Sequence, residues 1–217
     1  MAKLKCVIFD MDGTLTQTNR LIFDSFNYIA LKYEGKKYSE PEITAMFGPP
    51  EEGALINIVG HERISQAMKE YLEFYSAHHN ELARLYPGIK EVVVDLKERG
   101  VHVALFTGKG IDTTSITLAK FGLTQYFDYV VTGSDVVNHK PSAEGIHKIM
   151  QRFRLHPDEV LMVGDAVPDV KASHEAGVKI AAVLWDSYGK EKVMQMKTDY
   201  TFHDVREFSA WMRGQFD

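Results

Sequence analysis

The chain has 217 residues, 45% of them hydrophobic and 25% charged, which is the composition of an ordinary globular protein with enough length for a filled core. Its formal net charge of -5 is spread along the sequence, so we expect no basic surface for nucleic acid. No apolar run approaches the roughly 18 residues of a membrane span, and charge interrupts the start too early for a signal peptide. We therefore expect a cytoplasmic monomer or homodimer without nucleic-acid or membrane partners. Its single cysteine, Cys6, should be buried and inert in redox chemistry.

Short apolar runs of strand length alternate with helix-like stretches over most of the chain. The predicted strands are rich in valine, isoleucine and aromatic residues and cover residues 5–9, 101–106, 129–132, 160–163, 179–184 and 200–202. The helix-like stretches are residues 89–99, 113–121, 142–153, 170–176 and 205–212. This alternation predicts an α/β fold in which a Rossmann-like parallel sheet is covered by helices on both faces.

Residues 17–86 have a different pattern. Apolar side chains such as Leu21, Ile22, Phe26 and Ile29 recur there with helical spacing, and no convincing strand is present. The turn-forming run Tyr-Pro-Gly at 86–88 closes the segment. We therefore predict a core formed by residues 1–16 and 87–217. An all-helical domain, residues 17–86, would be inserted after the first strand and would cover its end.

Two aspartates, Asp10 and Asp12, directly follow the first predicted strand. Side chains two residues apart on an extended segment point the same way, so both should project beyond the sheet edge, while Gly13 permits the sharp turn that follows. Converging carboxylates repel unless a cation or an unequal sharing of protons intervenes. The pair suits covalent catalysis by one carboxylate and proton transfer by the other, although aspartate after a strand is also a common turn or capping residue.

Further polar groups follow the later predicted strands. Thr107, Gly108 and Lys109 offer a hydroxyl, a backbone NH and an ammonium group that can together bind phosphate oxygens. If Lys140 points at the sheet edge, it neutralises a nucleophile and a phosphate together.

Asp165 and Asp169, four residues apart, follow the fourth strand, and one helical turn would bring them to one face for metal coordination and its support. Taken alone, this pair also fits a helix terminus. Each of the four segments lies just past the carboxyl end of a predicted strand, where open parallel sheets bind ligands. We therefore predict that they form one site.

These segments, in this order, resemble the four motifs of the haloacid dehalogenase superfamily: 10–14, 107–108, 140–141 and 164–169. Within it the sequence is similar to the phosphoglycolate phosphatase-like group, including its bacterial inorganic pyrophosphatase branch, and the helical insert resembles the family's cap of the first type. It departs from frequent patterns at Gln17, where many relatives carry an acidic residue, and at Ala143, where many carry proline.

The resemblance implies roles for the motif residues. Asp10 is the expected nucleophile and Asp12 the general acid/base. Phosphate binding falls to Thr107, Gly108 and Lys140, and Lys140 also takes a catalytic part. Magnesium is expected on Asp10, Asp12 (through its backbone carbonyl) and Asp165, with Asp169 in the same metal site as support.

The implied activity is magnesium-dependent hydrolysis of a small phosphorylated metabolite, either a phosphoglycolate-like phosphomonoester or inorganic pyrophosphate, through an aspartyl phosphate. A phosphomutase of the β-phosphoglucomutase type remains an alternative, although such relatives carry a histidine where this chain has Ile22. A phospho-receiver signalling module is a weaker alternative, because Asp12 would hasten loss of its phosphoryl group.

Several residues outside the motifs are candidates for setting the choice of substrate. They are Arg20, Lys109, the two histidines His78 and His79, and the loop 48–50. The histidines lie on a polar predicted helix, so we expect them to be solvated or capping residues rather than catalytic ones.

Overall fold

The structure is a computed structural model, and it describes residues 4–187 and 189–216. Its strands are β1 (Cys6–Phe9), β2 (Thr16–Gln17), β3 (Arg84–Leu85), β4 (His102–Phe106), β5 (Tyr129–Val131), β6 (Val160–Gly164), β7 (Lys179–Val183) and β8 (Tyr200–Phe202). Its helices are α1 (Asn19–Glu34), α2 (Glu40–Thr44), α3 (Glu51–Val59), α4 (Ile64–Leu82), α5 (Ile89–Glu98), α6 (Ile111–Lys120), α7 (Glu144–Phe153), α8 (Val167–Ala176), α9 (Lys190–Met194) and α10 (Val205–Arg213).

Six parallel strands form the central sheet, in the order β5-β4-β1-β6-β7-β8. Side chains alternate between its faces: Val7 and Phe9 of β1 pack with α5 and α10, while Cys6 and Ile8 pack with α7 and α8. Both faces are therefore buried, which explains why the strands read as continuous apolar runs. The predicted fold class is confirmed, and Cys6 is buried as expected.

Helices α1 to α4 form the insert and have an apolar core of their own, to which Leu21, Phe26, Leu55 and Tyr71 contribute. The expectation that this segment contains no strand was wrong at its two ends, where β2 and β3 pair antiparallel with Thr16 opposite Leu85. Two-residue strands produce no periodic signal in a sequence, which is why they were missed. The division at residues 16/17 and 86/87 stays a prediction.

Several helix starts differ from the predicted ones. Helix α8 begins at Val167, not residue 170, because Pro168 fits the first turn of a helix, where its missing NH costs nothing. Helix α7 begins at Glu144, not residue 142, and α6 at Ile111, not residue 113. Among the described residues, no helix combines the length and apolarity needed to cross a bilayer.

Candidate active site

The predicted site residues follow strands that are neighbours in the sheet. Asp10 comes after β1, Thr107 after β4 and Asp165 after β6, and β1 lies between β4 and β6. Their carboxyl ends form the floor of a cavity of about 630 Å³, and the helical insert supplies its opposite wall. The residues predicted for catalysis, phosphate binding and metal binding all line this cavity, namely Asp10, Asp12, Thr107, Gly108, Lys140, Asp165 and Asp169.

Three carboxylates meet at the cavity floor. Asp10, Asp165 and Asp169 are buried, and each offers an oxygen atom that lies within 4.8 Å of the other two. Lys140 bridges two of them, with its Nζ 2.7 Å from Asp10 Oδ1 and 2.6 Å from Asp169 Oδ1. The Lys140 side chain is 8% exposed, so these two ion pairs are shielded from solvent. The side chain of Lys140 therefore points into the site as predicted.

Burial and mutual repulsion disfavour the ionised forms of Asp10 and Asp165. Burial raises the pKa of Asp10 to about 7, against the lowering effect of Lys140. Burial, together with the charges of Asp10 and Asp169, raises the pKa of Asp165 well above its usual range. Burial acts to lower the pKa of Lys140, but the Asp10 and Asp169 carboxylates more than offset this and raise it. The cluster as a whole would be stabilised by a further cation.

The donor set fits a hard divalent cation. Carboxylate oxygens are the ligands that Mg²⁺ takes in proteins, usually from few side chains while it keeps several waters. Asp10, Asp165 and Asp169 supply such oxygens, and the side chain of Asp12 is not part of this cluster. This arrangement is compatible with the expectation that Asp12 would reach a metal through its backbone carbonyl.

Local hydrogen bonds and a glycine fix Asp165. The Thr14 hydroxyl donates to Asp165 Oδ1 at 3.1 Å, and the Ser187 hydroxyl donates to the Asp165 carbonyl at 2.6 Å. A Cβ at Gly13, whose φ is +80°, would lie 2.4 Å from Asp165 Oδ2. Gly13, in the first motif, therefore leaves space for the carboxylate of Asp165, in the fourth motif.

The route by which Asp165 and Asp169 come together differs from the predicted one. Asp165 precedes α8 and is not on it, so a shared helical face is not the reason for their proximity. Asp169 lies in the first turn, where its Oδ2 accepts a hydrogen bond from the Ala166 NH at 3.0 Å while its Oδ1 binds Lys140. Asp169 thus caps the helix and also belongs to the cluster.

Asp12 lies outside the carboxylate cluster and contacts both the core and the insert. The Thr18 hydroxyl donates to Asp12 Oδ1, and Lys109 Nζ lies 3.4 Å from Asp12 Oδ2. Asp12 is half-buried and lines the cavity, so it can exchange protons with a bound molecule. Thr18 was not predicted, because one threonine beside a helix start has no distinguishing pattern.

Glu51 is a functional candidate that the sequence did not suggest. It begins α3 in the insert, is 7% exposed and lines the cavity. Its carboxylate accepts hydrogen bonds from the Gly110 NH at 2.8 Å and the Thr113 hydroxyl at 2.6 Å, and it lies 3.7 Å from Lys109 Nζ. Glutamate is common in the first turn of a helix, so nothing in the sequence indicates that Glu51 contacts α6.

The candidates for substrate choice separate into two groups. Lys109, Gly48 and Pro49 line the cavity, whereas Arg20 is exposed and lies 3.8 Å from Asp24. His78 and His79 are absent from the described residues that line the cavity.

The expectation that His79 is solvated or capping was wrong. It is fully buried on α4, with its ring 4.8 Å from that of Phe121 and 5.8 Å from that of Tyr75. Helices α4 and α6 contact each other here, so the residue belongs to a packing interface.

Comparison with known proteins identifies the family. The family model of the haloacid dehalogenase-like hydrolases matches residues 7–183. The chain belongs to the haloacid dehalogenase-like hydrolases. It is 34% identical over 203 residues to a pyrophosphatase PpaX of Halalkalibacterium halodurans, covering 94% of each chain, and 34% identical over 198 residues to one of Bacillus thuringiensis, covering 91% of each.

Solved structures of this superfamily share the fold. A predicted phosphoglycolate phosphatase of Haemophilus somnus superposes with a TM-score of 0.82 at 22% identity, covering 97% of this chain and 99% of that one. A putative β-phosphoglucomutase of Thermotoga maritima superposes with a TM-score of 0.76 at 26% identity, covering 97% and 99%. The family model and the relatives at 34% identity confirm the predicted superfamily and the prediction that the chain is an enzyme, a phosphatase of the haloacid dehalogenase type.

Proposed function

We propose that this haloacid dehalogenase-like hydrolase is a magnesium-dependent phosphohydrolase of small phosphorylated metabolites that acts through an aspartyl phosphate on Asp10. The observation that carries the proposal is the Lys140 ammonium between Asp10 and Asp169, at the floor of a cavity that also holds Asp12. A phosphoglycolate-like monoester and inorganic pyrophosphate are the two substrate classes that the sequence and the names of the relatives suggest. Cytoplasmic location and a monomeric or dimeric state stay predictions.

The chemistry has two steps. In the first, an Asp10 carboxylate oxygen attacks phosphorus, the bond from phosphorus to the leaving oxygen breaks, and Asp12 gives its proton to that oxygen. In the second, Asp12 takes a proton from water as the water oxygen attacks phosphorus, and the bond from phosphorus to the Asp10 oxygen breaks, which releases inorganic phosphate and restores the carboxylate. Thr107 and Gly108 line the cavity beside Asp10 and would bind the phosphoryl oxygens.

The residues around Asp10 balance the negative charges of its carboxylate and of the phosphoryl group. Lys140 favours the ionised form of the Asp10 carboxylate and offsets the negative charge of the phosphoryl group. Asp10, Asp165 and the Asp12 carbonyl would hold Mg²⁺, and Asp169 would support the site. When bound, the ion supplies neutralisation of the carboxylates and phosphoryl oxygens. Helices α1 to α4 cover the site and restrict the access of bulk water.

The test is phosphate release with Mg²⁺ by the wild type and by Asp10→Asn, with Asp24→Asn as a control that neutralises an exposed aspartate. We expect Asp10→Asn to lose at least about a thousandfold in kcat with p-nitrophenyl phosphate, because the nucleophile is gone. Undiminished turnover in Asp10→Asn contradicts the proposal. Interconversion of sugar phosphates without phosphate release would support the mutase instead, and an acyl phosphate stable for minutes would support the signalling module.

A further inference from the structure

The two walls of the cavity differ in chemistry. The core wall carries the charged groups described above, whereas most of the wall supplied by the insert is apolar, through Ile22, Phe26, Met46, Phe47, Pro49 and Ala54. Among the described lining residues, the insert contributes no lysine or arginine, and Glu51 is its one charged side chain. The part of a substrate that faces the insert therefore meets carbon surface and a carboxylate.

The charge balance of the cavity leaves little room for a second anionic group. Five carboxylates and three lysines line it among the described residues, a formal excess of two negative charges. A divalent cation would offset this excess, and the transferred phosphoryl group then adds negative charge of its own. Two of the lysines, Lys109 and Lys140, are each flanked by two carboxylates, and the third, Lys192, is exposed. Negative charge on the leaving group would be poorly compensated.

Lys109 contacts the insert through Glu51, which compensates its charge. Lys109 Nζ is buried between Asp12 Oδ2, at 3.4 Å, and Glu51 Oε1, at 3.7 Å. Burial acts to lower the pKa of Lys109, but Asp12, Tyr75 and Glu51 more than offset this, so it remains charged. Without Glu51 only Asp12 would balance the ammonium, and Lys109 would attract a second anionic group on a bound molecule more strongly.

Glu51 is held in this position by a close fit between the insert and two glycines of the core. A Cβ at Gly110 would lie 2.7 Å from Glu51 Oε2, and a Cβ at Gly133 would lie 2.9 Å from Pro50 Cγ. Its hydrogen bonds to the Gly110 NH and the Thr113 hydroxyl fix the carboxylate at the N-terminus of α6. The carboxylate is therefore a fixed part of this cavity wall.

We propose that the substrate is a phosphomonoester whose alcohol is uncharged and partly apolar, and that Glu51 disfavours leaving groups that carry a second negative charge. The inference rests on the proposed hydrolysis: the ester bond to phosphorus breaks, the proton from Asp12 goes to the alcohol oxygen, and water completes the release of phosphate. Pyrophosphate and phosphoglycolate are both poor substrates on this basis, since each leaving group is anionic.

The experiment compares kcat/KM for phenyl phosphate and 4-carboxyphenyl phosphate, which differ by one distal carboxylate, and adds pyrophosphate and 2-phosphoglycolate, all at saturating Mg²⁺. We expect phenyl phosphate to be preferred by at least about tenfold over each of the others. Glu51→Gln keeps an oxygen acceptor for the Gly110 NH but removes the charge, so the preference for phenyl phosphate over the carboxylated ester should fall at least about threefold. Glu52→Gln, at the exposed neighbouring position on α3, should leave the preference unchanged.

The outcomes are distinguishable. A wild type that hydrolyses 4-carboxyphenyl phosphate, pyrophosphate or 2-phosphoglycolate as well as phenyl phosphate overturns the substrate class, whatever the variants do. An unchanged ratio in Glu51→Gln, or an equal change in Glu52→Gln, overturns the role of Glu51. Failure to hydrolyse every one of these compounds and p-nitrophenyl phosphate removes the proposed function itself, and this inference with it.

Discussion

Replacing Lys140 by methionine removes the ammonium group that bridges Asp10 and Asp169 and leaves a chain of similar length. Both ion pairs are buried, at 2.7 and 2.6 Å, so the change leaves the carboxylate cluster without this countercharge. Breaking a buried ion pair by removing one partner costs about 3 to 5 kcal/mol of folding free energy. We expect a loss of that order in EDTA, measured by urea denaturation at pH 7.5.

Magnesium should reduce this loss. A ligand at about 100 times its Kd stabilises the folded state by about 2.7 kcal/mol, and an ion in the cluster would supply positive charge in place of the ammonium. The difference between wild type and Lys140→Met should therefore be smaller in Mg²⁺ than in EDTA, while kcat remains at least about a hundredfold lower.

The control for this prediction is Lys148→Met, which removes a partly exposed lysine 3.2 Å from Glu144 and should cost less than about 1 kcal/mol. Adding Asp169→Asn to Lys140→Met should recover part of the stability, because one unpaired charge is then removed. The reasoning is refuted if Lys140→Met is as stable as the wild type in EDTA, or if Mg²⁺ stabilises the two proteins equally.

Two further substitutions test the surroundings of the site. Gly13→Ala should lower kcat at least about a hundredfold and weaken stabilisation by Mg²⁺, because the added Cβ meets Asp165. The control is Gly35→Ala, also at positive φ (+70°) but in open space, which should lower the free energy of unfolding by only about 1 kcal/mol. Equal activity in the two variants would contradict this. Burial and the charges of Lys109 and Lys120 lower the pKa of His79 to about 4, so on acidification the unfolded chain takes up a proton before the folded one. The wild type should therefore lose about 2 kcal/mol more than His79→Gln between pH 7.5 and pH 5, as measured by urea denaturation at each pH. A parallel loss in both proteins would refute this.

The sheet could be predicted from the sequence because its strands are buried on both faces. A strand such as β6, whose residues are all buried, produces an uninterrupted apolar run with a glycine at its end. The helix starts were less accurate, since the first turn of α8 contains Pro168 and Asp169, which also fit a loop. The β2 and β3 pair could not be predicted because its two-residue strands depend on contacts across the length of the insert.

The site, like the fold, has one part that could be predicted from the sequence and another that could not. Asp10, Thr107 and Asp165 follow β1, β4 and β6, so predicting a parallel sheet already placed them at one edge, although the order of its strands was not predicted. Glu51 depends instead on how the insert packs against the core, and its partners at Gly110 and Thr113 are 59 and 62 residues away along the chain. No local pattern encodes such a contact. The residues of the proposed reaction thus follow from their place after parallel strands, whereas the charge on the opposite wall of the cavity follows from how the insert packs against the core. On the proposed function, we therefore expect a substitution in the insert to change the substrate preference while the proposed chemistry at Asp10 stays the same.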